Sequence, residues 1–151
     1  MSGAYPELEA LVPVDLAGAT PSTHDSGRLC SRASLGALAD AGVTEMHFGG
    51  GTWDRGGGKG ISLVTFEASG LTAKALFDSY VAGARANSQN HDIRTSEPTI
   101  AGVSGYRMDL LSGESFETLV VWPADRGGRV RVVLSADQTD ADIQAAIGAF
   151  D

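Results

Sequence analysis

The feature that most constrains the fold is a glycine-rich segment, FGGGTWDRGGGKG, at residues 48–60. Short runs of residues that favour β-strands flank it, VTEMHF at residues 43–48 and ISLVTFEA at residues 61–68. A segment this rich in glycine bends readily, because glycine adopts backbone angles that other residues avoid. We therefore predict a β-hairpin, in which a glycine loop joins two antiparallel strands.

Predicted helices and further strands account for most of the remaining chain. Apolar residues recur every three or four positions, as in amphipathic helices, at residues 31–41, 72–86 and 139–150. Further strand-like runs occur near residue 93 and at residues 99–111, 115–122 and 129–135. Strands joined by short loops usually pair antiparallel. We predict an α+β fold with a single antiparallel sheet and helices packed mainly on one face.

The length suits one domain, and two of its segments resemble each other. The chain has 151 residues, so we predict a single domain over residues 1–151 with a lead-in at residues 1–22. The sequence around Trp53 continues with Asp-Arg-Gly-Gly, and Trp122 is followed, after two residues, by the same four. In each case a strand and then a helix follow. A diverged duplication of a strand–loop–strand–helix unit explains this similarity, and so does chance likeness of two glycine hairpins.

Charge and cysteine content exclude several classes of protein. The net charge of −8 and the pI near 4.7 disfavour binding to nucleic acid, and no apolar run is long enough for a membrane span. The single cysteine, Cys30, cannot form an intrachain disulfide, and we expect it to be a small buried apolar residue. The first 20 residues lack the features of a signal peptide. We expect a cytoplasmic protein, or an extracellular or envelope protein whose leader has been removed.

Motifs for cofactors, metals and nucleophilic catalysis are incomplete. The Gly58-Lys59 pair lacks the hydroxyl residue that follows the lysine of a phosphate loop, and a strand comes next where such loops lead into a helix. The histidines, His24, His47 and His91, have no second histidine or cysteine at metal-ligand spacing. We therefore expect neither a cofactor nor a metal ion.

One group of residues could nevertheless support acid–base chemistry. His47 shares a predicted strand face with Glu45, and an arginine such as Arg131 could complete a catalytic group. Further charged residues could lie on the same side of the sheet, namely Arg107, Asp109, Glu117 and Arg129. The alternative is that this side is the solvated face of a one-sided sheet.

The two tryptophans are the other candidates for a site. Trp53 with Arg55, and Trp122 with Arg126, stand where a strand enters a glycine-rich loop. Such residues could line a ligand mouth or contact a partner, and the two indoles could instead plug the ends of the core.

Four passages resemble a broad group of uncharacterised bacterial domains, many of them secreted or of lipoprotein type. The first is an opening Leu-Val-Pro…Gly segment at residues 11–18, and the second is a short helix ending in glycine at residues 34–43. The third is a strand–helix unit at residues 66–84, and the fourth is the start of a strand at residues 99–103. The resemblance implies an extracellular or envelope setting, and the group supplies no catalytic residues to carry over.

Three functions remain open. The first is a non-enzymatic accessory or binding module that contacts a protein partner or a small ligand through its glycine-rich hairpin loops. The second is a small enzyme that uses His47, Glu45 and Arg131 on an exposed sheet face. The third is a structural subunit that assembles into homo-oligomers through Trp53 and Trp122.

Overall fold

The computed structural model describes residues 3–150, so the two ends of the predicted 1–151 domain lie outside the described part. Its helices are α1 (Pro6–Glu9), α2 (Arg32–Leu35), α3 (Ala37–Asp40), α4 (Ala73–Ala86) and α5 (Asp140–Ala149). Its strands are β1 (Thr23–Leu29), β2 (Met46–Gly56), β3 (Lys59–Glu67), β4 (Asn90–Ser96), β5 (Thr99–Ile100), β6 (Val103–Ser104), β7 (Tyr106–Ser112), β8 (Ser115–Pro123) and β9 (Arg129–Ala136).

Seven of the strands form one antiparallel sheet in the order β1-β2-β3-β9-β8-β7-β4. The two short strands β5 and β6 form a separate two-stranded sheet. The predicted α+β fold with an antiparallel sheet is confirmed. The central pair, β3 and β9, joins strands far apart in sequence, with Leu63 opposite Val133.

The predicted hairpin is formed by β2 and β3, but its turn is shorter than expected. The first three glycines, Gly49 to Gly51, lie within β2 and pair with β3, and only Gly57 and Gly58 lie between the two strands. Both turn glycines have positive φ, 62° and 78°, which a residue with a side chain rarely adopts. The expectation that the whole segment is a loop was therefore wrong, because pairing with β3 extends β2 through the first glycines.

The alternation of side chains along β8 defines the two faces of the sheet. Leu119 and Val121 point to the side that we call face A, and Val120 and Trp122 point to the opposite side, face B. The core on face A is closed by α2, α3 and the long helix α4, while face B is covered by α5 and by the segment that includes α1. Most of the helical residues thus lie on face A, yet neither face is left bare.

Local sequence sets where the helices begin and end. The Thr72 hydroxyl accepts a hydrogen bond from the Ala75 N–H at the start of α4. Thr139 and Asp142 form a complete capping box at the start of α5. The helix predicted at residues 31–41 is interrupted instead, because Gly36 takes a φ of 56° and separates α2 from α3.

The placement of α4 and α5 bears on the possible duplication. The twofold axis that relates two antiparallel strands runs perpendicular to their sheet, so a duplicated strand–strand–helix unit would put both helices on the same face. Trp53 and Trp122 do share face B, but α4 packs on face A and α5 on face B. The similarity therefore stops at the strands, and the helix placement favours chance likeness of two hairpins.

The first third of the chain adds detail to the predicted lead-in and corrects the expectation for Cys30. The lead-in at residues 1–22 includes α1, which packs against β2 on face B, and Leu8 and Val12 are buried there. Cys30 is exposed at the end of β1 and is not a buried apolar residue, because the chain turns away from the sheet at that point.

Candidate functional site

The structure brings together two of the three residues proposed for acid–base chemistry. The His47 Nε2 lies 3.5 Å from the Glu45 Oε1, and the imidazole stacks on the Tyr5 ring with centroids 4.0 Å apart. The same Glu45 oxygen lies 3.3 Å from the Arg28 Nη1, so an arginine of the edge strand completes the cluster. All of these side chains lie near the surface at the β1–β2 edge, outside any described cavity.

Arg131 does not join this cluster. It lies two strands away on β9, opposite Thr65 of β3, and its guanidinium stands 5.4 Å from the centre of the Phe150 ring. The Arg131 Nε and the Thr65 Oγ1 are both buried and have no hydrogen-bond partner within residues 3–150. The backbone of Leu8 lies close over Gly49 of β2, which pairs with Thr65, and so stands beside this row of residues. The predicted group of His47, Glu45 and Arg131 is therefore not assembled.

The other charged residues considered with His47 are held in ion pairs or lie elsewhere. On face B, Arg107 contacts Asp109 at 3.0 Å and Asp140 at 2.7 Å, and Arg129 contacts Glu67 at 2.7 Å. A smaller concavity of about 510 Å³ adjoins the first of these clusters, with Asp92, Arg94 and Phe116 among its walls. Glu117 points to face A instead. Face B is covered by α1 and α5 over most of its area, so the alternative of a solvated face applies only at the β1–β2 edge, where His47 and Glu45 stay partly exposed.

Both tryptophans are buried. The solvent-exposed fraction of Trp53 is 3%, and its indole N–H donates a hydrogen bond to the Ala19 carbonyl at 2.8 Å. Trp122 retains 2% and meets Phe150 edge-to-face, with ring centres 5.5 Å apart. This arrangement favours plugs at the ends of the core, since buried indoles offer little surface to a partner.

The two arginines grouped with the tryptophans lie apart from each other. The Arg55 Nη1 donates to the Gln138 Oε1 at 2.6 Å and lies 3.5 Å from the Asp142 Oδ1, so it ties the β2–β3 hairpin to the start of α5. Arg126 is exposed in the loop between β8 and β9. The structure therefore does not unite the four residues in one ligand mouth.

A larger cavity lies on face A, where the helices leave part of the sheet uncovered. Seven strands span about 29 Å from edge to edge, whereas the 14 residues of α4 are about 21 Å long. The resulting hollow, which we call the trough, has a volume of about 930 Å³. Its apolar lining comes from the sheet, α2, α3 and α4 and includes Leu35, Leu38, Met46, Phe66, Leu76, Met108, Leu110, Leu119 and Leu134.

Polar side chains, most of them hydroxyls, are interspersed with the apolar ones along the trough. The Thr52 and Ser62 hydroxyls contact each other across β2 and β3 at 2.9 Å. Tyr80, on α4, lines the trough, and burial raises the pKa of its phenol to about 12, so the hydroxyl stays protonated at neutral pH. Glu117 contributes a half-buried carboxylate from β8. The trough thus combines apolar walls with hydroxyls, and its charged residues are Glu117 and, at the hairpin, Asp54 and Lys59.

Glycines keep one end of the trough open. The segment Gly58–Gly60 at the tip of the β2–β3 hairpin forms part of its rim. Gly83 of α4 lines it as well, and a Cβ built on Gly83 would meet no atom within 4 Å. The glycine-rich hairpin singled out from the sequence therefore borders this cavity, although its tryptophan does not line it.

The sequence offered only indirect signs of the trough. Alternation along β8 separates Glu117, Leu119 and Val121 from their neighbours, which marks a common face for these side chains. The available signal was therefore Glu117, a charged residue on the same strand face as two apolar ones. Which strands lie beside β8, and where α4 crosses them, depended on pairings between distant parts of the chain.

Residues 3–150 contain no group of three histidine, cysteine or acidic side chains placed to hold a metal ion. No helix in the described part is long and apolar enough to cross a membrane. Comparisons with protein-family models, with curated proteins and with solved structures gave no match.

Proposed function

We propose that this protein is a non-enzymatic module that binds a small, mainly apolar ligand in the trough. The observation that carries the proposal is the cavity itself, about 930 Å³ in volume, with leucine, methionine and aromatic side chains forming its apolar walls. Sites for small molecules usually measure about 300–1,000 Å³ and combine apolar walls with a few polar groups. Apolar walls that face water gain free energy when an apolar ligand covers them.

The polar groups in the trough suit holding a ligand better than transforming one. Among the described residues that line it, none is a histidine or a cysteine. The Tyr80 phenol is a poor base and a poor acid near neutral pH because burial raises its pKa to about 12. Its hydroxyl can still exchange hydrogen bonds with a ligand. The His47–Glu45 pair lies outside the trough, so the proposed binding does not depend on it.

The proposal can be tested with a pair of glycine variants and an uncharged fluorescent probe, N-phenyl-1-naphthylamine. Gly83 and Gly148 are both exposed helical glycines, on α4 and α5, and a Cβ at either would meet no atom within 4 Å. Only Gly83 lines the trough. Gly83→Phe places a ring in the opening, whereas Gly148→Phe makes the same change at a distance.

We expect the wild-type protein and Gly148→Phe to bind the probe equally, with increased emission, and Gly83→Phe to bind it at least about tenfold more weakly, since the new ring occupies the space of ligand atoms. Circular dichroism and thermal melting of both variants check that the fold is retained. Equal binding by the two variants, or no binding by the wild-type protein, would contradict the proposed function.

A further inference from the structure

Glu117 is the most unusual residue of the trough, because it places an acidic side chain among apolar ones. It points to face A with Leu119 two residues along β8, and its cross-strand neighbours are Leu110 on β7 and Ala136 on β9. The side chain is half-buried, and within residues 3–150 its carboxylate has neither a hydrogen-bond donor nor an ion-pair partner. Sheet residues in such a setting are normally apolar.

From this position we infer that the ligand of the trough is a cationic amphiphile, an apolar body that carries an amine or another positively charged group which pairs with Glu117. This inference rests on the proposed function and names the class of ligand. Removing a carboxylate from water is unfavourable unless an opposite charge or hydrogen-bond donors replace the lost hydration. A bound amine would supply both, in a charge-assisted hydrogen bond shielded from solvent by the apolar body.

Among the charged residues that line the trough, Glu117 is the most buried. Asp54 is exposed at the hairpin, where its Oδ1 accepts a hydrogen bond from the Gly56 N–H at 2.8 Å, so solvent screens its attraction for a bound cation more strongly. Lys59 is exposed, and no ion pair joins it to Glu117 in the described part of the chain. An ammonium in contact with water repels a bound cation only weakly, since solvent screens it.

The remaining groups are compatible with a cation. The Tyr80 and Ser79 hydroxyls and the Thr52–Ser62 pair are neutral and can accept hydrogen bonds from an amine. The net charge of −8 also raises the local concentration of cations around the protein and lowers that of anions. Carboxylate ligands of the same length would meet repulsion from Glu117 and from this overall field.

The test compares three ligands that share one apolar chain, namely dodecylamine, dodecanol and dodecanoate. Each is titrated below its critical micelle concentration at pH 7 and 150 mM salt, and displacement of bound N-phenyl-1-naphthylamine reports its affinity. We expect the amine to bind about tenfold more tightly than the alcohol, because its ammonium forms one partly desolvated charge pair with Glu117. The alcohol should in turn bind more tightly than the carboxylate, which Glu117 repels.

Three variants separate Glu117 from non-specific attraction. Glu117→Gln keeps the size of the side chain and should bring the amine and the alcohol to within about twofold of each other, with alcohol binding unchanged. Glu114→Gln, in the exposed turn between β7 and β8, removes the same charge and should leave the tenfold preference intact. Lys59→Gln should leave the preference for the amine unchanged or increase it slightly.

The outcomes distinguish the two proposals. If all three ligands displace the probe with similar affinity, or if Glu117→Gln keeps the preference for the amine, the inferred ligand class is wrong while the trough remains a binding site. If dodecanoate binds most tightly, the inferred ligand class is also wrong, and Lys59 would be the group that pairs with the ligand. If no ligand displaces the probe and Gly83→Phe does not change probe binding, the proposed function itself fails and the ligand class fails with it.

Discussion

Gly49 lies directly against the backbone of α1, and replacing it tests how α1 is held. A Cβ at Gly49 would lie 2.6 Å from the Leu8 carbonyl carbon, 2.7 Å from the Glu9 nitrogen and 2.8 Å from the Leu8 Cβ. Carbon atoms in ordinary contact are about 3.5–4.0 Å apart. Gly49→Ala therefore forces α1 to retreat from β2 by roughly 1 Å, since two of the three opposing atoms belong to the backbone.

The expected loss of stability follows from what α1 buries. Overpacking costs about 1–3 kcal/mol, and exposing Leu8, which is 1% exposed in the native structure, costs about 1.5–3 kcal/mol more where the helix leaves its place. Restricting the unfolded chain returns about 0.4–1 kcal/mol. We expect Gly49→Ala to lower the free energy of unfolding by about 2–4 kcal/mol, measured by urea denaturation with tryptophan fluorescence.

Gly50→Ala is the matched control. Gly50 neighbours Gly49 in β2 but points to face A, where its Cβ would lie 3.2 Å from a Val64 methyl and 3.3 Å from the Leu63 carbonyl oxygen. A methyl can shift by a few tenths of an ångström, so we expect a change within about 1 kcal/mol. Equal stability of the two variants would refute the close packing of α1 on β2. A native-state shift in tryptophan emission should accompany Gly49→Ala alone, because Trp53 is hydrogen-bonded to Ala19 of the same N-terminal segment.

Two further predictions concern ionisable and capping groups. Burial raises the pKa of Tyr80 to about 12, so its contribution to stability is complete below pH 10 and declines as the pH rises toward 12. Absorbance at 295 nm should show a titration step near pH 12 that Tyr80→Phe removes, and its persistence in that variant would refute the assignment. Thr139→Ala removes the cap of α5 and should cost about 1 kcal/mol, as should the control Thr72→Ala on α4. Hydrogen bonds from the Thr139 backbone and side chain lower the pKa of Asp142, so this carboxylate stabilises the fold above about pH 4 and less as the pH falls further. Only Thr139→Ala should weaken that acid dependence in urea titrations at pH 3 and pH 6, and an identical response from Thr72→Ala would count against the capping box.

The trough and the packed face B show how the same sheet serves two purposes. On face B, bulky residues such as Trp53, Trp122 and Phe150 fill the space between the sheet and α5. On face A, the smaller side chains Ser62 and Thr52 and the open position at Gly83 leave a hollow beside α4. Small side chains and the limited length of α4 together leave the larger of the two described cavities on face A.

The sequence by itself determined the features that depend on neighbouring residues. The fold class followed from the strand and helix patterns, the β2–β3 hairpin from its glycines, and α5 from the Thr139–Asp142 capping box, because each is set by interactions within a few positions. Local patterns did not predict β1, because its polar sequence carries no strand signal. This strand forms because it pairs with β2. It is also held by Ser26, a buried residue whose hydroxyl donates a hydrogen bond to the Oε1 of the buried Glu9 at 2.8 Å.

Only the tertiary structure decided which side chains meet. The pairing of β3 with β9 placed Arg131 under Phe150 and away from His47, and α1 occupied the surface that Gly49 leaves open. The same long-range pairings set Glu117 between Leu110 and Ala136 at the floor of the trough. Such contacts join residues tens of positions apart, and their free energy depends on the shape of the whole core, which no short stretch of sequence encodes.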